Sequence, residues 1–421
     1  MPSYNDGIGS SLENSNLQRF YTGFADRQWD YVFVALLLMA ELTLSSLIIH
    51  KVPYTEIDWV AYMEEVDFWM DGEYDYRKIY GNTGPLVYPA GFLYLFGTLQ
   101  TLTNRQIPQA QLIFLCFYLL TQATVLILYT VVLRKIREKS DSRTSLSMSH
   151  KVWSFRIAMC SLCVSKRFHS IFLLRLFNDG PTMLVTYLSF LCFVNSKWNI
   201  GCFLFSVAVS LKMNVLLFAP GLLYLLIRTS PKKTILRLAI CGVTQLILGA
   251  PFLLRYPVSY LRKAFELDRQ FFFKWTVNLK FLPEELFLSK KWAMFLLAVH
   301  LSLLTLYFSR LYKSSRALSP ENILSTLFVS NFIGICCART LHYQFYCWYF
   351  SALPFLLWRE TPFYLPICLV LLGGVEYAFL TYPATSLSSI ILQFAHWSIL
   401  IPCLLVLPKE EPSMKHTKKE R

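Results

Sequence analysis

Charge is scarce in this sequence. Only 16% of its 421 residues are Asp, Glu, Lys or Arg, where soluble chains carry about a quarter. That shortfall excludes a soluble enzyme, a disordered chain and a disulfide scaffold. No HExxH, Walker or GxGxxG pattern stands in a supporting context. The eleven cysteines mostly sit inside apolar runs (Cys116, Cys160, Cys163, Cys192, Cys202, Cys241), where they act as small hydrophobes. Cys160 and Cys163 form a CxxC without a partner pair, which argues against zinc or redox chemistry. Asn-x-Ser/Thr sequons are absent, so the protein itself is expected to be unglycosylated. The first 30 residues carry no basic region ahead of a cleavable apolar stretch and read as a tail rather than a signal peptide.

What the chain has in abundance is apolar length. Hydrophobic residues make up 55% and aromatic residues 16%, in long stretches separated by short polar knots. A helix needs roughly 20 apolar residues to cross a bilayer. The expected fold class is an all-α polytopic membrane protein. Twelve spans are expected, at Tyr31–His50, Ala110–Leu133, Val152–Leu174, Pro181–Asn195, Asn199–Leu211, Asn214–Ile227, Thr234–Leu254, Trp292–Tyr312, Asn322–Ala338, Phe345–Trp358, Phe363–Leu380 and Leu387–Leu407. A thirteenth apolar run, Leu86–Leu102, is rich in Gly, Pro and Tyr and is expected to lie in the interface. The domain plan is a tail (1–30), a single membrane domain (31–407) with large loops at 51–109 and 255–291, and a second tail (408–421).

The formal net charge of +14 fits the bias of Lys and Arg toward cytoplasmic loops; no soluble domain exists to present a basic face to nucleic acid. Arg134, Lys135, Arg137, Lys139, Arg143 and Lys151 crowd one connector. Arg228, Lys232 and Lys233 mark a second, and Arg310, Lys313 and Arg316 a third. All three become cytosolic if the amino terminus is cytosolic and Leu86–Leu102 does not cross. The carboxyl terminus then returns to the cytosol with a dilysine pattern, Lys418-Lys419-Glu420-Arg421, of the kind that retrieves proteins to the endoplasmic reticulum.

On the opposite, luminal face the loop after the first span holds Glu56, Asp58, Glu64, Glu65, Asp67, Asp71, Glu73 and Asp75, eight of the chain's 26 acids. Most read as a solvated surface. Asp58 differs: it follows a span closely, between Ile57 and Trp59, ahead of apolar residues at helical spacing. A carboxylate there can have a raised pKa and serve as a general base, with Glu56 next in line. The loop 255–291 carries Arg255, Arg262, Lys263, Arg269, Lys274, Lys280, Lys290 and Lys291, against the positive-inside bias, and reads either as a misplaced loop or as a binder of a lipid phosphate. Further polar knots are Arg175, Asn178 and Asp179; Lys212 and Asn214; and Arg339, His342, Tyr343 and Gln344. A polar residue at a span end is commonly a snorkelling anchor, but Lys212 sits midway through a short hairpin and is the best candidate for a ligand contact. An acidic base, clustered cations and a membrane cavity together suggest transfer from a lipid phosphate.

Seven ordered stretches carry a resemblance: TEIDWVAYMEEVDFW (Thr55–Trp69), GNTGPLVYPAGF (Gly81–Phe92), RLFNDGP (Arg175–Pro181), SLKMNVLLFAPG (Ser210–Gly221), LGAPFL (Leu248–Leu253), AFELDRQFFFKWTVN (Ala264–Asn278) and LHYQFYCWYF (Leu341–Phe350). The chain from about Tyr31 to Leu380 resembles the dolichyl-phosphate-mannose-dependent α-1,3-mannosyltransferases of asparagine-linked glycan assembly, which are GT-C-type enzymes. The resemblance implies a multi-pass protein of the endoplasmic reticulum membrane with a luminal active site. It implies dolichyl phosphate mannose as donor and the five-mannose dolichol-pyrophosphate oligosaccharide as acceptor, with membrane lipids around a monomer and no cofactor or metal. Asp58 occupies the place of the family's acidic residue and would act as base in an inverting transfer. Glu56, Trp59, Arg175, Asn178, Asp179, Lys212, Asn214, Arg269, Lys274, Arg339, His342, Tyr343 and Gln344 are the expected substrate contacts. Another GT-C mannosyl- or glucosyltransferase is the nearest rival. A lipid-linked sugar transporter is the rival from a different class, disfavoured because the polar knots gather on one face and no half-chain repeat is visible.

Overall fold

The computed structural model describes residues 28–139, 146–265, 272–314 and 316–405. Among these the chain is helical, apart from loops and one short hairpin. In order come α1 (Trp29–Lys51), α2 (Trp59–Met70), the antiparallel pair β1 (Tyr80–Gly81) and β2 (Gly84–Pro85), α3 (Ala90–Thr103), α4 (Ile107–Lys139) and α5 (Leu146–Leu162). A four-residue helix, α6 (Lys166–His169), runs into a π turn at Ser170–Leu174. Then follow α7 (Asp179–Val194), α8 (Trp198–Leu211), a 3₁₀ segment (Met213–Phe218), α9 (Ala219–Thr229), α10 (Pro231–Leu253), α11 (Pro257–Ala264), α12 (Glu284–Leu288), α13 (Lys290–Ser314), α14 (Pro320–Cys336), α15 (Leu365–Leu380) and α16 (Ser386–Leu405). Both expected tails and the dilysine lie outside the described residues, apart from the three residues nearest α1.

Five helices, α1, α4, α10, α13 and α16, are long and apolar enough to cross a membrane, and α5 with the segment Lys166–Leu174 makes a sixth if that pair, bent by 43°, counts as one span. Four expected spans fold as shorter apolar pieces: α7, α8, Met213–Thr229 and α15. Helices of 14–16 residues such as α7, α8 and α15 reach only about 21–24 Å, short of the roughly 30 Å hydrocarbon core. The start of α7 and the end of α8 lie inside the protein, where Asp179 and Lys212 meet.

Phe345–Trp358 is not one helix. It folds as 3₁₀ turns at Tyr343–Trp348 and Phe350–Ala352, a single α turn at Leu353–Phe355 and a π turn at Leu356–Glu360. Pro354 brings no N–H, and crowded rings (Phe345 stacks on Trp348 at 3.8 Å between centroids) disfavour a regular α spiral. Carbonyls left over are met from outside: Asn331 Nδ2 donates to Trp348 O at 3.0 Å and Tyr129 OH to Ser351 O at 2.9 Å. Irregular backbone among membrane helices persists only where protein or a cavity satisfies it.

The run Leu86–Leu102, expected at the interface, is not among the helices long and apolar enough to span. Its helix α3 is largely buried among α2, α4, α8 and α10, with Phe92 and Phe96 fully enclosed and stacked 4.6 Å apart. Gly91 lets α3 approach α8 closely, since a Cβ there would lie 2.8 Å from Ser210 O.

Two buried polar knots tie α1 to the bundle. Asp30 accepts from Arg137 at 3.1 Å and from Arg156 at 3.4 Å. Midway along, Glu41 accepts from Tyr118 OH at 2.7 Å and lies 2.9 Å from His169 Nε2. Ionisable groups in a spanning helix persist when paired in this way. These knots set where α1 passes the cavity described next.

Candidate active site

A cavity of about 1570 Å³ opens where the short helices end. Its wall is contributed by the loop before α2, the segment after β2, the α6 and π-turn segment, the turn between α8 and α9, and the irregular stretch 338–348. Its apolar lining falls into two arms, one from Leu44 and Ile48 of α1 with the adjoining Val52, the other from Leu296 and Leu297 of α13.

Asp58 stands at the centre, at the N-cap of α2. Its side chain caps no backbone N–H; instead Oδ2 accepts from Tyr62 OH at 3.3 Å, one turn on. Burial pushes the carboxyl above the usual carboxylate range, and the positive charge of Lys212 and the Tyr62 hydrogen bond oppose that rise without cancelling it. A half-buried carboxylate with raised proton affinity, open to a cavity, suits proton abstraction.

Lys212 ends α8 in extended backbone (φ −159°, ψ 125°). Its Nζ lies 2.8 Å from Asp179 Oδ2 and within 5.4–5.8 Å of the Tyr88, Phe345 and Trp348 ring centroids. Asp179, the first residue of α7, also accepts from Trp348 Nε1. The buried pair is thus fixed by a third group, the condition under which a desolvated ion pair is tolerable. Asn178 serves the same corner, donating from Nδ2 to Leu211 O at 2.8 Å. Asn214 lines the cavity, and both of its amide atoms are buried without a hydrogen-bond partner.

The turn that delivers this corner is strained. Leu176 has φ +50°, a left-handed conformation that bulky residues rarely adopt. It lets the chain reverse between the π turn and α7, with Arg175 on the cavity wall donating to Ser170 Oγ.

Of the expected contacts, Asp58, Arg175, Lys212, Asn214, Arg339, His342, Tyr343 and Gln344 converge on this cavity, and Asp179 touches it through Lys212. Glu56 does not line it: its carboxylate accepts from Tyr54 OH (2.7 Å) and Val60 N (3.1 Å), which caps the start of α2. Trp59 is buried away from it, with Nε1 on Arg105 O at 3.3 Å. Lys274 is exposed beside Trp275, outside the cavity, and Arg269 lies outside the described residues. Among the described residues, the loop 255–291 gives the cavity Phe272 and Trp275 but no cation; Arg255 instead lies over Tyr74, 3.8 Å from the ring centroid. Arg339 lines the wall, but its Nε and one terminal nitrogen already donate to the carbonyls of Phe287 and Leu288. Tyr62, Tyr88, Arg167, His169 and Trp348 were not singled out from the sequence. Tyr62, Tyr88 and Trp348 do fall inside the quoted motifs, which was the available signal. Among the described residues, no group of three or more His, Cys, Asp or Glu side chains is placed to share a metal ion.

Fold and cavity together define a helical membrane protein with an amphiphilic cavity, charged at its centre and apolar along both arms. Comparison with known proteins sharpens that class. Residues 35–389 match the model of the family described as ALG3 protein. Similar curated proteins are the Dol-P-Man:Man(5)GlcNAc(2)-PP-Dol α-1,3-mannosyltransferases of Mus musculus (43% identical, 94% of this chain and 93% of that one) and Homo sapiens (43%, 93% and 91%). The probable enzyme of the same name from Dictyostelium discoideum is 41% identical over 93% of this chain and 92% of its own. The chain belongs to the ALG3 protein family.

Proposed function

We propose that this protein transfers mannose from dolichyl phosphate mannose to the five-mannose dolichol-pyrophosphate oligosaccharide, in α-1,3 linkage, as the names of its relatives describe for them. It does so as a GT-C-type enzyme of the endoplasmic reticulum membrane, with its active site on the luminal side and both termini in the cytosol. It needs no cofactor and works as a monomer.

The observation that carries the mechanism is the Asp58 carboxyl, held at the polar centre of the cavity with its proton affinity raised by burial. The acceptor hydroxyl oxygen attacks C1 of the donor mannose, and the bond from C1 to the phosphate oxygen breaks. Asp58 takes the hydroxyl proton, and dolichyl phosphate leaves as the anion without needing a proton. One displacement inverts the anomeric centre, turning a β-linked donor into an α-linked product. The two apolar arms suit two lipid-borne substrates, each chain lying outward while its polar end reaches the centre.

Incubating the purified protein with both lipid-linked sugars, followed by linkage analysis, is the direct test. A single new α-1,3-linked mannose is expected. An α-1,2 or α-1,6 linkage, or no transfer, overturns the assignment.

A further inference from the structure

Among the described residues, one guanidinium on the cavity wall beside α1 makes no ion-pair contact. Arg167 is 8% exposed and lines the cavity. Its Nε is buried without a hydrogen-bond partner, and its guanidinium carbon lies 5.1 Å from the Tyr343 ring centroid. Glu376, whose charge offsets part of that on Arg167, directs its oxygens to neutral donors: Ser165 Oγ (2.7 Å), the Arg167 backbone N–H (2.9 Å) and Tyr346 OH. Glu41 is likewise taken by Tyr118 and His169. A second guanidinium, Arg175, faces the same cavity with Ser170 Oγ as its hydrogen-bond partner among the described residues, and its charge bears on Arg167.

Two arginines turned into one wall, one of them almost fully buried, repel each other, and Glu376 offsets that repulsion only in part and without an ion-pair contact. Such an arrangement is costly unless an anion completes it. The cations first suspected of that role are engaged elsewhere: Lys212 with Asp179, and Arg339 with backbone carbonyls. The surroundings narrow the anion. A planar guanidinium fork matches phosphate oxygens two at a time, and the arm beside it is lined by the aliphatic Leu44 and Ile48 of α1, the adjoining Val52 and Val164.

We infer that Arg167 and Arg175 form the binding site for the phosphate of a polyprenyl phosphate ester, whose chain lies along α1. This rests on the transferase reading above and deepens it by naming the residues that hold a lipid phosphate. The phosphate belongs to either the mannose donor or the pyrophosphate acceptor, and the two are separable by kinetics.

The probe is farnesyl phosphate, with farnesol as its uncharged counterpart, titrated against the purified full-length protein by intrinsic tryptophan fluorescence. Wild-type protein is expected to prefer the phosphate. Arg167→Gln and Arg175→Gln are each expected to weaken farnesyl phosphate roughly 10- to 100-fold, as charge-assisted hydrogen bonds are lost, and to leave farnesol unchanged. Arg167→Lys falls between, since an ammonium cannot reproduce the fork. Arg175, which is only half-buried, supplies the variant that keeps its fold if Arg167→Gln does not, and both are checked by thermal unfolding. A raised KM for dolichyl phosphate mannose identifies the donor as the source; a raised KM for the lipid-linked oligosaccharide identifies the acceptor. Unchanged farnesyl phosphate affinity in folded Arg175→Gln overturns the site. If wild-type protein makes no mannosidic linkage yet binds farnesyl phosphate through these arginines, the transferase reading fails while the anion site stands.

Discussion

Asp58 is one carboxyl among eight in its stretch of sequence, and its surroundings set it apart. Asp75, in the same loop, is held by Arg77 and Ser259, which drive its carboxyl well below the ordinary range; it is an acid spent on structure. Asp58 has its proton affinity raised instead. Asp58→Asn keeps the shape and removes the proton acceptor, so transfer should fall about 10²–10⁴-fold while donor binding and thermal unfolding stay near wild type. Turnover above about a tenth of wild type would place the base elsewhere, against that same range for general bases.

The base must be ionised to act, so activity falls as pH drops through its raised pKa, at higher pH than an ordinary carboxylate would give. Tyr62→Phe removes a hydrogen bond that favours the charged form. The acid limb of kcat/KM for the acceptor should therefore move to higher pH in that variant. A limb that stays or moves down would detach Tyr62, and with it Asp58, from the titration.

Much of this corner was legible residue by residue. Asp58, Lys212 and Asp179 announce themselves because charge is rare in apolar sequence and expensive in membrane. Arg167 stayed hidden because it falls inside the expected span Val152–Leu174, and only its packing against Tyr343 and its place on the cavity wall bring it out. Among the described residues no cation of the loop 255–291 lines the cavity, because sequence gives their sign but not where they point.

At the scale of elements, spans of uniform composition are readable from apolar length alone, and α1, α4, α10, α13 and α16 match their expected positions to within a few residues at most ends. Hydropathy fails where an apolar run is held by tertiary partners rather than by its own ladder. The stretch Tyr343–Glu360 is apolar enough to suggest a span, yet its backbone is satisfied by Asn331 and Tyr129 from other helices. In the run around α3, the Gly content that set it apart from a span has a packing reason: Gly91 serves close approach to α8. Gly91→Ala sets a methyl against the Ser210 backbone oxygen, which cannot swing aside as a side chain could. Overpacking of this kind costs about 1–3 kcal/mol. A lower unfolding temperature in detergent is expected, together with reduced transfer, since α8 carries Lys212 at its end. An unchanged unfolding temperature would mean that the two helices part without cost.

The whole molecule is organised by which side of the membrane its cavity faces, and α10 offers the cleanest reading of that. With 23 residues it spans about 34 Å, enough to cross a core of roughly 30 Å. Its outer face presents Ile235, Leu246 and Ile247 to the surroundings, as a lipid-facing helix does. Lys232 and Lys233 sit at its first turn, on the side the positive-inside bias makes cytosolic. Beyond its far end, Arg255 packs over Tyr74, which belongs to the same stretch between α1 and α3 as Asp58. The two ends of α10 therefore report the side of the base directly. Single cysteines at Lys232 and Val258, both exposed positions, are the probes, in a background where the exposed Cys116 and Cys160 are replaced. Ser259 next door is unsuitable, because it is buried and donates to Asp75. In sealed microsomes a membrane-impermeant maleimide should reach Lys232→Cys at once and Val258→Cys only after the membrane is opened. Labelling of both from outside would mean that α10 does not cross, and the reverse pattern would put Asp58 and its cavity on the cytosolic face, where the proposed luminal transfer could not take place.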